Sequence, residues 1–162
     1  MNRRATFILT GMTLLGLAIA AWPQVSFAQS DPWLGTWKLN LEKSKYGPVP
    51  LPKSLTVTIQ EEGPNHKVTA IGIDAEGKAT SNVFNFIYDG MPHPATGSPN
   101  FDAIAPTRVD AYTTIISRTK AGKLAQTSTV VISRDGKTGT ATTTGFDANG
   151  RPINNIAAYE KL

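Results

Sequence analysis

Ser54-Leu55-Thr56-Val57-Thr58-Ile59-Gln60 alternates polar and apolar residues without a break, and this period of two constrains the fold more than any other feature of the chain. A strand with one buried face satisfies it: Leu55, Val57 and Ile59 project to one side and Thr56 and Thr58 to the other. The pattern recurs along the chain between short turn signals. Glu61–Asn65 turns into a return strand from Lys67 to Ile73, and Asp74–Gly77 turns into Thr80–Tyr88. Asp89-Gly90 is a hairpin dipeptide. Met91–Asn100 carries three prolines, which confine a short strand near Pro92-His93 to an edge or a loop. Phe101–Val109, Tyr112–Thr119, Lys123–Ser133, Lys137–Phe146 and Arg151–Lys161 continue the series, with Pro106 predicting a bulge or an edge position. No long stretch has apolar residues at three- and four-residue spacing. The expectation is an all-β fold of about 8–10 strands, in antiparallel up-and-down order because sequential hairpins need no long crossovers. A sheet of that size closes into a β-barrel, since closure removes its exposed edges.

The N-terminus reads differently. Asn2-Arg3-Arg4 is a positive stretch, Phe7–Ala21 an apolar one, and Ser26-Phe27-Ala28 places small residues where a signal peptidase cuts. Residues 1–28 are therefore expected to be a signal peptide, with Pro23 and Gln24 ending the apolar run before it is long enough to span a bilayer. Residues 29–162 then form a single exported domain with no membrane span, periplasmic or secreted. The 162-residue chain contains no cysteine, so neither disulfides nor thiolate chemistry enters, a composition that suits a bacterial periplasm. Removing Arg3 and Arg4 lowers the formal charge from +4 by two. The remaining basic residues are scattered, with no stripe of the kind that tracks nucleic acid.

Residues 40–53 are the one irregular connection, with room for a helical turn at Leu41–Lys45 and then three prolines that enforce extended backbone. This segment is expected to strap a barrel mouth, as a plain connection or as a ligand portal. Thr138–Gly145 has no greasy face. It is either a solvated strand of high β propensity or part of a polar interior.

Gly35-Thr36-Trp37-Lys38-Leu39, together with Tyr159-Glu160-Lys161, resembles the opening and closing strands of the calycin superfamily, which includes lipocalins and fatty-acid-binding proteins. The chain is also similar to exported bacterial lipocalin-like proteins of unassigned activity. The resemblance implies a barrel closed at Gly35 and Trp37, with Lys161 stacked on the indole. It implies a small hydrophobic or amphipathic ligand inside. It does not carry over the fatty-acid carboxylate clamp, because Ala157 stands where that branch has arginine two residues before the tyrosine. The disulfide and the C-terminal helix usual in lipocalins are missing as well.

Strand parity nominates inward side chains. Ile153, Asn155, Ala157 and Tyr159 share a face, as do Phe84, Phe86 and Tyr88, and Tyr112, Thr114, Ile116 and Arg118. From these sets, Phe84, Phe86, Tyr112, Asn155 and Tyr159 are the expected ligand contacts, with Arg108 as a pairing group for an anionic head. Two histidines without companions at ligand spacing point to no metal site, and no nucleophile or phosphate motif is present, so no catalytic residue and no cofactor are expected. Two other functions fit the same barrel. One is an isomerase- or cyclase-type enzyme, which requires Tyr112, Tyr159, Arg108 and Asn155 to converge on one cavity. The other is an envelope interaction or stress protein, or an inhibitor, working through loops 46–53 and 91–100; its protein partner is not identifiable from sequence.

Overall fold

The computed structural model describes residues 31–162; the expected signal peptide lies outside the described residues. Ten strands follow one another: β1 (Gly35–Lys45), β2 (Ser54–Glu62), β3 (Asn65–Ile73), β4 (Ala79–Phe86), β5 (His93–Thr96), β6 (Ala103–Arg108), β7 (Thr113–Lys120), β8 (Lys123–Ile132), β9 (Thr138–Phe146) and β10 (Pro152–Lys161). Each pairs antiparallel with its neighbours in sequence, and β10 pairs with β1, so the sheet is a closed up-and-down barrel. Closure is direct: Trp37 faces Lys161, Leu39 faces Tyr159, and the Leu162 N–H donates to the Thr36 carbonyl at 2.9 Å.

One local expectation is corrected and a second holds in part. Residues 40–45 belong to β1 and form no helical turn. Between Asn40↔Ala158 and Lys45↔Ile156 the first strand takes five residue steps against two on β10, a bulge stabilised by side chains. The Asn40 carboxamide accepts from Lys43 N–H, and the Ser44 hydroxyl donates to the Asn40 carbonyl while accepting from Ala158 N–H. Pro106 lies at no bulge, and the expected edge position holds only locally, since β6 has no β5 partner at this level. It is fully buried in register with Ile116, in a strand flanked on both sides. Its missing N–H costs no ladder bond, because β5 pairs with β6 only at His93 and Pro94, and beyond that point the Pro106 carbonyl accepts from Gly90 N–H.

The inner face of β9 is made of Gly139, Ala141, Thr143 and Gly145, while Thr138, Thr140, Thr142 and Thr144 face out. Both readings of this segment hold in part: the outer row is solvated, and Thr143 brings a hydroxyl inside. Gly145 is required where it stands. Its φ is +136°, and a Cβ there would lie 2.2 Å from the Ala125 carbonyl oxygen. Gly145→Ala is expected to cost about 2 kcal/mol through backbone strain and the forced shift of β8, read as a lower urea midpoint at unchanged m-value.

The barrel has two unlike ends. At one, Trp33 and Trp37 pack with Ile132, and Phe86 is buried at the same end, part of a second cluster that runs up the wall through Val68 and Ala95 to Ile104, the register partner of Arg118. This end is a solid floor. The other end is ringed by the β1–β2 segment, the β3–β4 turn, the β5–β6 loop, and the β7–β8 and β9–β10 turns. Two of these lean over the opening and are tied to β10 or the turn before it. The Gly47 carbonyl accepts from Asn154 N–H, Gly47 N–H donates to the Asn155 carboxamide at 3.3 Å, and Asn100 accepts from Ala148 N–H at 2.9 Å.

Candidate functional site

Small side chains on β9 and medium ones elsewhere leave a cavity of about 410 Å³ inside the barrel. Its wall is graded. Toward the floor it is apolar, with Ile59, Val68, Phe84, Val130 and Ile132 above Trp33 and Trp37. Toward the mouth it carries Tyr46, Ser98, Asn100, Arg118, Gln126 and Asn155. These six lie on the mouth-side halves of β7, β8 and β10 or in the two segments that lean over the opening, while Asn82 on β4, Thr143 on β9 and Tyr159 near the end of β10 add polar atoms elsewhere on the wall.

Arg118 is the one charged side chain on this wall among the described residues, and no carboxylate lines the cavity with it. Its Nη1 donates to the Ser128 hydroxyl, which in turn is 2.6 Å from the Thr143 hydroxyl. Its guanidinium lies 5.4 Å from the Phe101 ring centroid. Desolvation draws the Arg118 pKa below its ordinary value, with Tyr159 and Tyr46 acting in the opposite direction; the guanidinium keeps its proton throughout the working range. Burial raises the Tyr159 and Tyr46 phenols above theirs, partly offset by Arg118, so both stay neutral donors. The site therefore offers one cation and several neutral hydrogen-bonding groups toward its upper end, with the Tyr159 phenol set lower, beside the largely apolar floor.

The residues singled out from sequence divide between the cavity and the floor. Phe84, Asn155 and Tyr159 are on the cavity wall. Phe86 is buried in the floor, edge-on to Tyr88 at 5.0 Å. Arg108 is held there too: Nη2 lies 2.9 Å from Asp31 Oδ2, and the guanidinium stacks 3.9 Å from the Tyr88 ring centroid. Both ring nitrogens of His66 are buried beside the same carboxylate, with Nε2 3.5 Å from Oδ2. Tyr112 packs against the Trp33–Trp37 cluster, with Arg134 5.7 Å from its ring centroid. The four groups whose convergence an enzyme of this kind requires are thus split, Asn155 and Tyr159 in the cavity and Arg108 and Tyr112 below it.

The closure residues sit together. Lys161 Nζ lies 5.1 Å from the Trp37 ring centroid and donates to the Pro32 carbonyl at 3.0 Å, and the Trp37 indole N–H donates to the Trp33 carbonyl at 2.9 Å. Gly35 has φ +118°, and a Cβ would stand 2.8 Å from Lys161 Cε, so this glycine makes room for the lysine stem more than for a neighbouring strand's backbone.

Sequence reasoning placed Arg118 on an inward face without naming it a ligand contact, and missed Tyr46. Arg118 shares its parity with Tyr112, Thr114 and Ile116, which was a usable signal. Tyr46 lies in the Pro-rich segment, where parity says nothing. Among the described residues no three His, Asp or Glu side chains are grouped to hold a metal ion.

No family model matches the chain, and no curated protein does. Among solved structures, zebrafish ileal bile acid-binding protein complexed with cholic acid is similar at 16% identity, over 81% of this chain and 99% of that one, with a TM-score of 0.49. So loose a likeness carries nothing about kinship or ligand.

Proposed function

We propose that the protein is an exported carrier or scavenger that binds one small amphipathic anion inside its barrel. The head group pairs with Arg118 near the mouth, and the apolar body lies toward Ile59, Val68 and Ile132. The observation that carries this reading is the uncompensated cation: a half-buried guanidinium on the cavity wall, making one side-chain hydrogen bond, with no carboxylate beside it. Buried charges are ordinarily paired, and a carboxylate, sulfonate or phosphate head would supply the missing partner in the bidentate geometry a guanidinium favours. The graded wall orients such a ligand head-up. Export is part of the proposal and rests on the signal-like residues 1–28 and the absence of cysteine.

Titration with an anilinonaphthalene sulfonate probe, followed by displacement with fatty acids, alkyl sulfates and the matching alcohols, tests the reading. Anions are expected to displace the probe and the alcohols to do so at least about tenfold less well, the difference of one buried charge-assisted contact. Equal displacement by acids and alcohols would leave a cavity that selects by shape alone. Ala141→Leu checks the location. Ala141 faces the cavity from β9, so the added methylenes enter empty space. Probe affinity is expected to fall by about tenfold or more, while the unfolding free energy falls by less than the roughly 1–3 kcal/mol that overpacking a filled core costs.

A further inference from the structure

The two ends of the barrel differ in charge as well as in packing. Lys45, Lys53, Lys78, Lys120, Lys123 and Arg151 ring the mouth, against Asp74, Glu76, Asp102 and Asp147. The floor end has the opposite balance, with Asp31, Glu61, Glu62, Asp89, Asp110 and Asp135 against Lys67, Arg108, Arg134, Lys137 and Lys161. Arg151 is paired with Asp147 at 2.6 Å, and the Asp74 and Asp102 carboxylates are turned onto the backbone N–H groups of Lys78 and Ala121. The five mouth lysines have no salt-bridge partner within 4 Å among the described residues.

The β7–β8 hairpin concentrates this. Lys120 and Lys123 are directly opposed as its closing pair, an arrangement of like charges that weakens a hairpin. Leu124 follows, 67% exposed, and on the neighbouring strand Phe146, one residue beyond the register pair Gln126↔Gly145, is 57% exposed on the same rim. Two large apolar side chains and two unpaired ammonium groups thus crown one stretch of the rim, beside the opening of the cavity. Neither feature serves the packing of the barrel.

We propose that this rim is a docking surface for an anionic lipid bilayer, the Lys120–Lys123 hairpin lying on the head groups with Leu124 and Phe146 entering the interface. Lysines held near an anionic membrane add to binding one by one, and shallow apolar insertion alongside basic groups is how proteins lie on a bilayer without crossing it. The proposal does not depend on what the cavity holds.

The test is co-sedimentation of the full chain with vesicles of phosphatidylcholine containing phosphatidylglycerol, comparing variants that share the same N-terminus so that its contribution cancels. K120Q/K123Q is expected to lower the partition coefficient by about 25-fold, about fivefold for each lysine neutralised. L124S/F146S is expected to lower it as well, and L124W in an otherwise unchanged chain is expected to add a blue-shifted emission when vesicles are present. R134Q/K137Q removes the same charge from the floor end and is expected to leave binding unchanged. Equal losses from the two charge pairs would mean attraction without orientation and overturn the proposal, as would wild-type binding by K120Q/K123Q. An unchanged thermal unfolding midpoint and near-UV circular dichroism in every variant show that each still folds, and anilinonaphthalene sulfonate binding without vesicles reads the cavity separately, so failure here is distinct from failure of the carrier reading.

Discussion

Arg118→Met is expected to abolish discrimination for anions while leaving the barrel as stable as before or more so. Removing one partner of a buried charge pair costs about 2–5 kcal/mol, so the affinity for an anionic amphiphile should fall at least about 30-fold. An uncharged amphiphile of equal chain length should change by less than about threefold. The stability arm has the opposite sign. In the empty protein the guanidinium is desolvated without a carboxylate, and an apolar side chain of similar volume removes that penalty. Isothermal titration with a paired acid and alcohol, together with thermal denaturation of the empty protein, reads both arms. A parallel loss for acid and alcohol, or a marked fall in midpoint, would make Arg118 a structural residue and leave the carrier reading without its main support.

Trp37→Ala is expected to have the largest effect on stability of any single substitution. The indole is 3% exposed, floors the cavity, packs on Trp33 and Ile132, donates to the Trp33 carbonyl and carries Lys161 on its face. Loss of a buried tryptophan costs about 3–5 kcal/mol, which for a chain of this size lowers the melting temperature by about 10 °C or more. Lys161→Met separates the plug from the cation. It keeps the stem beside Gly35 and removes the charge with its hydrogen bond to the Pro32 carbonyl, so it should cost about 1–2 kcal/mol. If Lys161→Met proved as damaging as Trp37→Ala, the closure would rest on the ion and not on the ring.

Strand order was legible from sequence because an up-and-down barrel is local in its connectivity. Each hairpin announces itself by alternation and a turn dipeptide, as at Asp89-Gly90 and Asp135-Gly136. The bulge in β1 was not legible. Asn40 and Ser44 replace ladder bonds with side-chain bonds, and the run Asn40-Leu41-Glu42-Lys43 has no alternation to follow. The cavity was half legible. Parity correctly grouped Asn155 with Tyr159 and Arg118 with Ile116, but parity says which face a residue takes and not how far along the barrel axis it lies. Arg108 and Arg118 both have inward parity, ten positions apart on consecutive strands that run in opposite directions. Depth alone separates a floor residue paired with Asp31 from a mouth-side residue facing open space.

The seam between β1 and β10 has a consequence for how the molecule comes into being. Trp37 and Lys161 are partners across nearly the whole sequence, and nine of the ten strands can be made before the one that satisfies both free edges exists. Until then β1 and β9 each offer a row of unpaired backbone groups to any passing strand, and the loop that must close is among the longest the chain allows, which slows folding. Until β10 is made the chain is an open ribbon, and that strand turns the ribbon into a vessel. Shielding that ribbon from its own copies, more than stabilising the finished barrel, is where a chaperone would matter most to it.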